Sequence, residues 1–330
     1  MPDPSMPPLS VWPTGQRDPH AQLRDAGCVP GTEDDAERVP PAVAAYAIAT
    51  YTRAGDLVVD PDCGAGTVLT AALHVGRHAV GLTPRSRWWT LARANVTAAN
   101  NSGAWPHGTV LGARPPVLGT TRAAGLIGRV GLVLTCLRTD PFRPGDPDSD
   151  PAKSDFATIL RYCESLLRSG GHLVVVARPR RRPDGELVDL TTPLIADAIA
   201  AGLVPVERCV ALTAELRDRR LVTRASLAER RAAARARAAG SRAALVAHHD
   251  VLVFGLAHDA ELAAEASAGF LWPADDEITL SAASDVAYSE WMRAVHSTDQ
   301  SLASCAARQS RSARHGAFGI ALFDDGQEAA

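Results

Sequence analysis

Short solid runs of apolar residues alternate along this chain with stretches of helical spacing. Residues 1–40 are rich in Pro, Asp and Gly and carry little apolar periodicity, which predicts an irregular arm. Residues 42–51 place Val43, Ala47 and Ile48 on one helical face. Leu57, Val58 and Val59 then form a fully apolar run of the kind a buried parallel strand needs. Further strands are predicted over 78–82, 109–111, 130–135, 172–176, 204–212 and 250–254, and helices over 67–75, 85–100, 156–167 and 192–201. Residues 217–239, rich in Arg and Ala, read as helical. Strands that alternate with helices imply a parallel sheet with right-handed crossovers. The fold class expected is therefore α/β, with seven strands and helices on both faces. The expected division is an arm (1–40), one domain (41–257) and a loosely packed Ala/Ser-rich tail (258–330).

Composition narrows the classes. A hydrophobic content of 46% with 22% charged residues over 330 positions suits a globular core and excludes wholesale disorder. No run approaches a membrane span, and the start of the chain lacks a basic-then-apolar leader, so a cytoplasmic protein is expected. The six cysteines form no CxxC pair, so neither a disulfide framework nor a zinc site is indicated. With 34 Lys+Arg against 37 Asp+Glu the net charge is only −3, which does not describe a strong nonspecific binder of nucleic acid. Lys153 is the single lysine among those basic residues. The arginine bias suits a GC-rich genome, yet it makes nearly every cation a planar fork matched to phosphate or carboxylate.

The strongest chemical signal follows the first strand. Asp60-Pro61-Asp62-Cys63-Gly64-Ala65-Gly66-Thr67 ends a strand and opens a helix, where glycines let a ligand approach the backbone and free amides face it. Glycine spacing alone fits a tight strand-to-helix turn equally well, because the third glycine of a dinucleotide fingerprint is missing. Read from Gly55-Asp56 through Gly66-Thr67, however, the segment resembles the first motif of the amino-group (N4-cytosine or N6-adenine) DNA methyltransferases: GD, apolar, V, apolar, DP, x, CG, x, GT. Residues 10–16, 38–41, 185–190 and 248–254 are also similar to segments of actinobacterial DNA modification methylases.

That resemblance implies a seven-stranded, Rossmann-like fold that binds S-adenosylmethionine (SAM). It implies that Asp60, Cys63, Gly64 and Gly66 line the methionine end of the cofactor, and that Thr67 and residues 38–41 help close the pocket. The partner it implies is DNA. Three departures stand out. The family's Ser/Asp-Pro-Pro-Tyr, which holds the target amine and stacks on a flipped base, is replaced after Thr135 by Cys136-Leu137-Arg138-Thr139. Asp140-Pro141-Phe142, a few residues on, is a shifted candidate for the lost polar and aromatic groups. The acid that normally meets the ribose is absent, with Thr83 left as a weaker neutral acceptor. The acid that normally reads the adenine amine is also absent, since Gly112-Ala113-Arg114 stands where the family has Gly-Asp-Ala-Arg.

Candidate catalytic residues are thus Thr135, Cys136 and Asp140. Arg178, Arg180, Arg181 and Arg182, just after the fifth strand, are the candidates for nucleic-acid phosphates, at the edge where open α/β sheets bind ligands. A second cluster, Arg217 to Arg237, reads more simply as a solvated helix face. Three functions stay open at this point: a SAM-dependent DNA methyltransferase, a catalytically degenerate relative that binds or regulates, and an RNA or small-molecule methyltransferase on the same fold.

Overall fold

The computed structural model describes residues 9–138, 151–181, 186–240, 244–260 and 262, with 151–155 as backbone only. Asp140, Arg182 and nearly all of the expected tail lie outside the described residues. The strands are β1 (Val11–Trp12), β2 (Leu57–Asp60), β3 (His78–Leu82), β4 (Gly108–Leu111), β5 (Val130–Cys136), β6 (Leu167–Ala177), β7 (Leu203–Leu212), β8 (Glu215–Arg217), β9 (Arg220–Val222) and β10 (His248–Leu256). The helices are α1 (Pro19–Asp25), α2 (Pro41–Tyr51), α3 (Thr67–His74), α4 (Ser86–Asn101), α5 (Pro151–Leu166), α6 (Thr191–Ala200) and α7 (Leu227–Ala238).

The large sheet runs β1-β7-β10-β6-β5-β2-β3-β4. Strand β10 is antiparallel to both β6 and β7, and the other pairings are parallel. Every residue of β5 is buried, as its unbroken apolar run requires of a strand covered on both faces. Pleating sends Leu132 and Leu134 into one core with Ile48, Leu69, Leu73 and Val96 from α2, α3 and α4. It sends Val133 into the opposite core with Ile159, Leu160, Leu194 and Phe254. The chain winds outward from β2 through β3 to β4, then returns to β5 on the other side of β2. That reversal opens a crevice beyond the carboxyl ends of β2 and β5, where doubly wound sheets bind ligands. Asp60 and Cys136, the last residues of these two strands, stand at its mouth.

Two segments differ from the pattern-based expectation. The N-terminal arm, expected to be irregular, contributes β1 as an eighth strand beside β7 and a helix capped by the Asp18 side chain on Ala21 N. Trp12 is fully buried and stacks on Tyr46, which anchors the arm by apolar burial that no periodicity revealed. The start of 217–239 is a two-stranded hairpin rather than helix. Asp218 and Arg219 both take positive φ, as a two-residue hairpin turn demands. Helix α7 begins only after a Ser226–Glu229 capping box and buries no residue, so its arginines form a solvated face.

Candidate active site

The turn after β2 is shaped by glycine. Gly64 (φ +49°) and Gly66 (φ +85°) adopt the left-handed conformation that disfavours side chains, and Gly66 lies close against Ala92 of α4. Buried Asn95 of α4 ties the turn to the arm. Its amide donates to Ala65 O (2.8 Å) and Thr32 Oγ1 (2.9 Å), and its oxygen accepts from Val29 N (2.7 Å). The arm therefore crosses the turn at a fixed place and brings down Asp35, 2% exposed, whose Oδ2 accepts the Ala65 amide at 2.9 Å.

Arg138 meets Asp35 from the other side. Its Nη1 and Nη2 donate to Asp35 Oδ1 and Oδ2 at 2.7 and 3.2 Å, and its Nε donates to Asp62 O at 2.7 Å. A Cβ placed on Gly64 would overlap both Arg138 Nη2 and Asp35 Oδ2, so this bridge lies directly on the glycine backbone. The opening that glycine provides is filled by the chain itself.

Beyond Gly64 and Gly66, the expected cofactor residues are placed differently from one another. Asp60 is buried beneath the turn, and its Oδ1 accepts Asp62 N at 3.1 Å. Cys63 packs in the core against Gly81. The Thr67 hydroxyl donates to Val39 O at 2.8 Å and so fixes the approach to α2. Thr83 does reach a cavity of about 330 Å³ beyond the strand ends, together with Trp88, Arg114, Pro115, Leu137, Phe156 and Ile159. Trp88 thus faces the cavity, while the Trp89 indole donates to Val110 O at 3.2 Å.

Burial pushes the Asp60 carboxyl up to about 7; Arg138 opposes this, and Asp62 and Asp35 reinforce it. The folded chain therefore holds a proton that the unfolded chain releases near pH 4. This contribution to stability is complete below the unfolded value and is lost as pH rises through about 7. Asp60→Asn, which keeps the carbonyl acceptor without the charge, is expected to be more stable than the parent by up to ~4 kcal/mol at about pH 8. The gap should close toward about pH 4. Urea unfolding at both values checks this, and a pH-independent difference would contradict it.

At the end of β5, Thr135 is buried and its Oγ1 finds no hydrogen-bond partner among the described residues. Burial pushes the Cys136 thiol far above its usual range, and it donates to Glu37 O at 2.8 Å. A protonated, engaged thiol is no nucleophile. Arg180 Nη2 donates to Leu137 O and Arg138 O at 3.4 and 3.1 Å, and pairs with Glu37 at 3.2 Å. Backbone acceptors at this position are therefore already committed.

A second cavity, of about 550 Å³, lies on the far side of the wall formed by Glu37, Cys136 and Leu137. Arg38, Arg178, Arg180 and Arg224 line it, with His248 and His249. Thr14, Arg38 and His249, distant in sequence, all reach this one cavity. Arg38 Nε and His249 Nδ1 are buried without a partner among the described residues. Burial, with Arg178 and His248, pulls His249 down to about 4, so the ring is neutral near pH 7. Arg178 pairs with Glu229 at 3.0 Å in an exposed bridge. Of the arginines named from the sequence, Arg178 and Arg180 line this cavity, whereas Arg181 lies outside its lining and bridges to Leu187; Asp35 and Glu37, in the acidic arm, carry no local signal of a site and were not named.

The sheet order, with one antiparallel strand inserted between β6 and β7, defines the Rossmann-like fold of SAM-dependent methyltransferases. No protein-family model matches the sequence, and no curated protein matches it. Among solved structures the chain is similar to the CcbJ methyltransferase of Streptomyces caelestis at 15% identity and a TM-score of 0.43, over 76% of this chain and 99% of that one. It is similar to a geranyl diphosphate methyltransferase at 16% identity and a TM-score of 0.41, over 74% and 97%. It is also similar to TrmN of Thermus thermophilus at 18% identity and a TM-score of 0.40, over 68% of this chain and 52% of that one, about half of TrmN's length. Among the described residues no helix is long and apolar enough to cross a membrane, and no group of three or more His, Cys, Asp or Glu is placed to hold a metal.

The fit to SAM divides. The 330 Å³ cavity, with the Thr83 hydroxyl and the Trp88 ring, suits a nucleoside. The sequence resemblance would put the methionyl end over the glycine turn, and that place holds the Arg138–Asp35 bridge.

Proposed function

We propose that this chain binds nucleic acid, DNA first, on a methyltransferase fold without transferring a methyl group in the arrangement seen. The observation that carries the reading is the end of β5, where Arg180 takes up the backbone acceptors that a target amine would need. Amino-group transfer depends on positioning and on preorganised acceptors for the amine; the Leu137 and Arg138 carbonyls there already accept from Arg180, and Thr135 Oγ1 is buried beneath them. Binding is supported by the arginine-lined cavity beside it, to which the neutral His249 ring adds no negative charge.

A second reading, an active DNA amino-methyltransferase, is favoured by the open nucleoside-sized cavity at Thr83 and Trp88. One pair of measurements separates the two. Fluorescence anisotropy with labelled duplex DNA, single-stranded DNA and RNA of one sequence is run beside transfer of tritiated methyl from SAM to each. The expected result is salt-dependent DNA binding with no incorporated label. Label in DNA establishes the second reading, label in RNA overturns both, and absence of binding to every nucleic acid at about 50 mM salt overturns the first.

A further inference from the structure

The turn after β2 brings two carboxylates, Asp35 at 2.7 Å and Asp62 at 3.4 Å, onto one guanidinium, with Asp60 buried beneath the same turn. SAM would bring two cationic centres, a sulfonium and an α-ammonium, to a turn of this kind. We infer that Arg138 is a resident cation that takes the place of the cofactor's methionyl end, so that the cavity beyond it accepts a nucleoside but gains nothing from the methionyl group. The inference rests on the methyltransferase fold and not on nucleic-acid binding, so loss of DNA binding would leave it standing.

Three features support it. The guanidinium lies on the Gly64 backbone, a surface of the turn kept free of a side chain. Its donors are spent on Asp35 in a two-pronged bridge and on Asp62 O, so it is held there and does not wave over the site. Asp35 in turn holds the Ala65 amide, a donor that would otherwise face a ligand at the start of α3. A sulfonium brought to this place meets a like charge at close range, and its carboxylate neighbours are already paired. Along the rest of the crevice Trp88, Pro115, Leu137, Phe156 and Ile159 offer apolar and aromatic surface and Thr83 a hydroxyl. Arg85, Arg114, Asp34 and Glu37 also line it, and this mix of apolar walls and polar groups suits a nucleoside.

Calorimetric titration of the full chain with adenosine, SAM and S-adenosylhomocysteine tests this. The wild-type protein is expected to bind SAM no more than about threefold tighter than adenosine. Arg138→Ala exposes the acids, and should bind SAM at least about tenfold tighter than the wild type does. In that variant SAM should outrank S-adenosylhomocysteine, which lacks the sulfonium charge, and millimolar guanidinium should compete with SAM. Arg138→Lys retains a cation and should show no gain. A thermal melt establishes that each variant is folded. If Arg138→Ala does not fold, Arg138→Met and the wild-type comparison decide. Wild-type preference for SAM over adenosine beyond about threefold overturns the inference, as does a folded uncharged variant with no gain. Failure of the wild type to bind adenosine at millimolar concentration overturns it too.

Discussion

With Arg178, Arg180 and Arg181 all replaced by Gln, the slope of log affinity for duplex DNA against log salt is expected to fall by about 2.7, at about 0.9 for each phosphate no longer neutralised. Between about 50 and 200 mM salt the parent should then lose about fortyfold more affinity than the variant. The reason lies in what these side chains give up on binding. Arg178 and Arg180 line the larger cavity and are held by Glu229 and Glu37 in bridges that are open to solvent. Exposed pairs of this kind are worth about 0–1 kcal/mol, so a phosphate displaces the carboxylate at little cost. The loss should be similar for different DNA sequences, because phosphate contacts position a duplex without reading it. An unchanged slope would remove this cluster from any interface, and a loss confined to one sequence would mean base readout instead.

Asp35→Ala is expected to lower stability by about 3–5 kcal/mol, a large part of the margin of a typical domain. The substitution leaves the Arg138 guanidinium, whose side chain is only 14% exposed, without its two-pronged buried partner and with only the more exposed Asp62 carboxylate at 3.4 Å, and leaves Ala65 N without an acceptor. Breaking one partner of a buried pair costs more than removing both. The double variant Asp35→Ala/Arg138→Ala should accordingly recover about 1–3 kcal/mol relative to the sum of the two single changes. Urea unfolding of the four proteins measures this coupling. A single Asp35→Ala within about 0.5 kcal/mol of the parent would mean that the bridge is a surface pair and contributes little.

Much of the fold was legible because buried parallel strands and amphipathic helices leave strong local patterns. The run Leu57-Val58-Val59 and the β5 run ending at Thr135-Cys136 mark the two central strands, and both are found where expected. The arm was not legible. Its order comes from Trp12 on Tyr46, from Gln22 on Thr14 O, and from Asn95 on Thr32, none of them periodic in the sequence. The hairpin at Asp218-Arg219 was missed because an arginine-rich stretch with alanines scores as helix, whereas two positive φ angles are set by the strands that flank them.

The sequence by itself determined the glycine turn, the neutral residues at Thr83 and Ala113, the Cys136-Leu137-Arg138 segment at the end of β5, and the arginines after β6. These are matters of residue type at a fixed local spacing. Only the tertiary structure decided what those changes mean together. Asp35 and Arg138 are 103 positions apart, and Arg180 reaches Leu137 O across 43. Each lies on a different element, and only the winding of the sheet about β2 and β5 brings their ends to one crevice. A charge can replace a ligand only if it stands where the ligand would stand, and position in space is fixed by packing between elements rather than by the order of residues along any one of them.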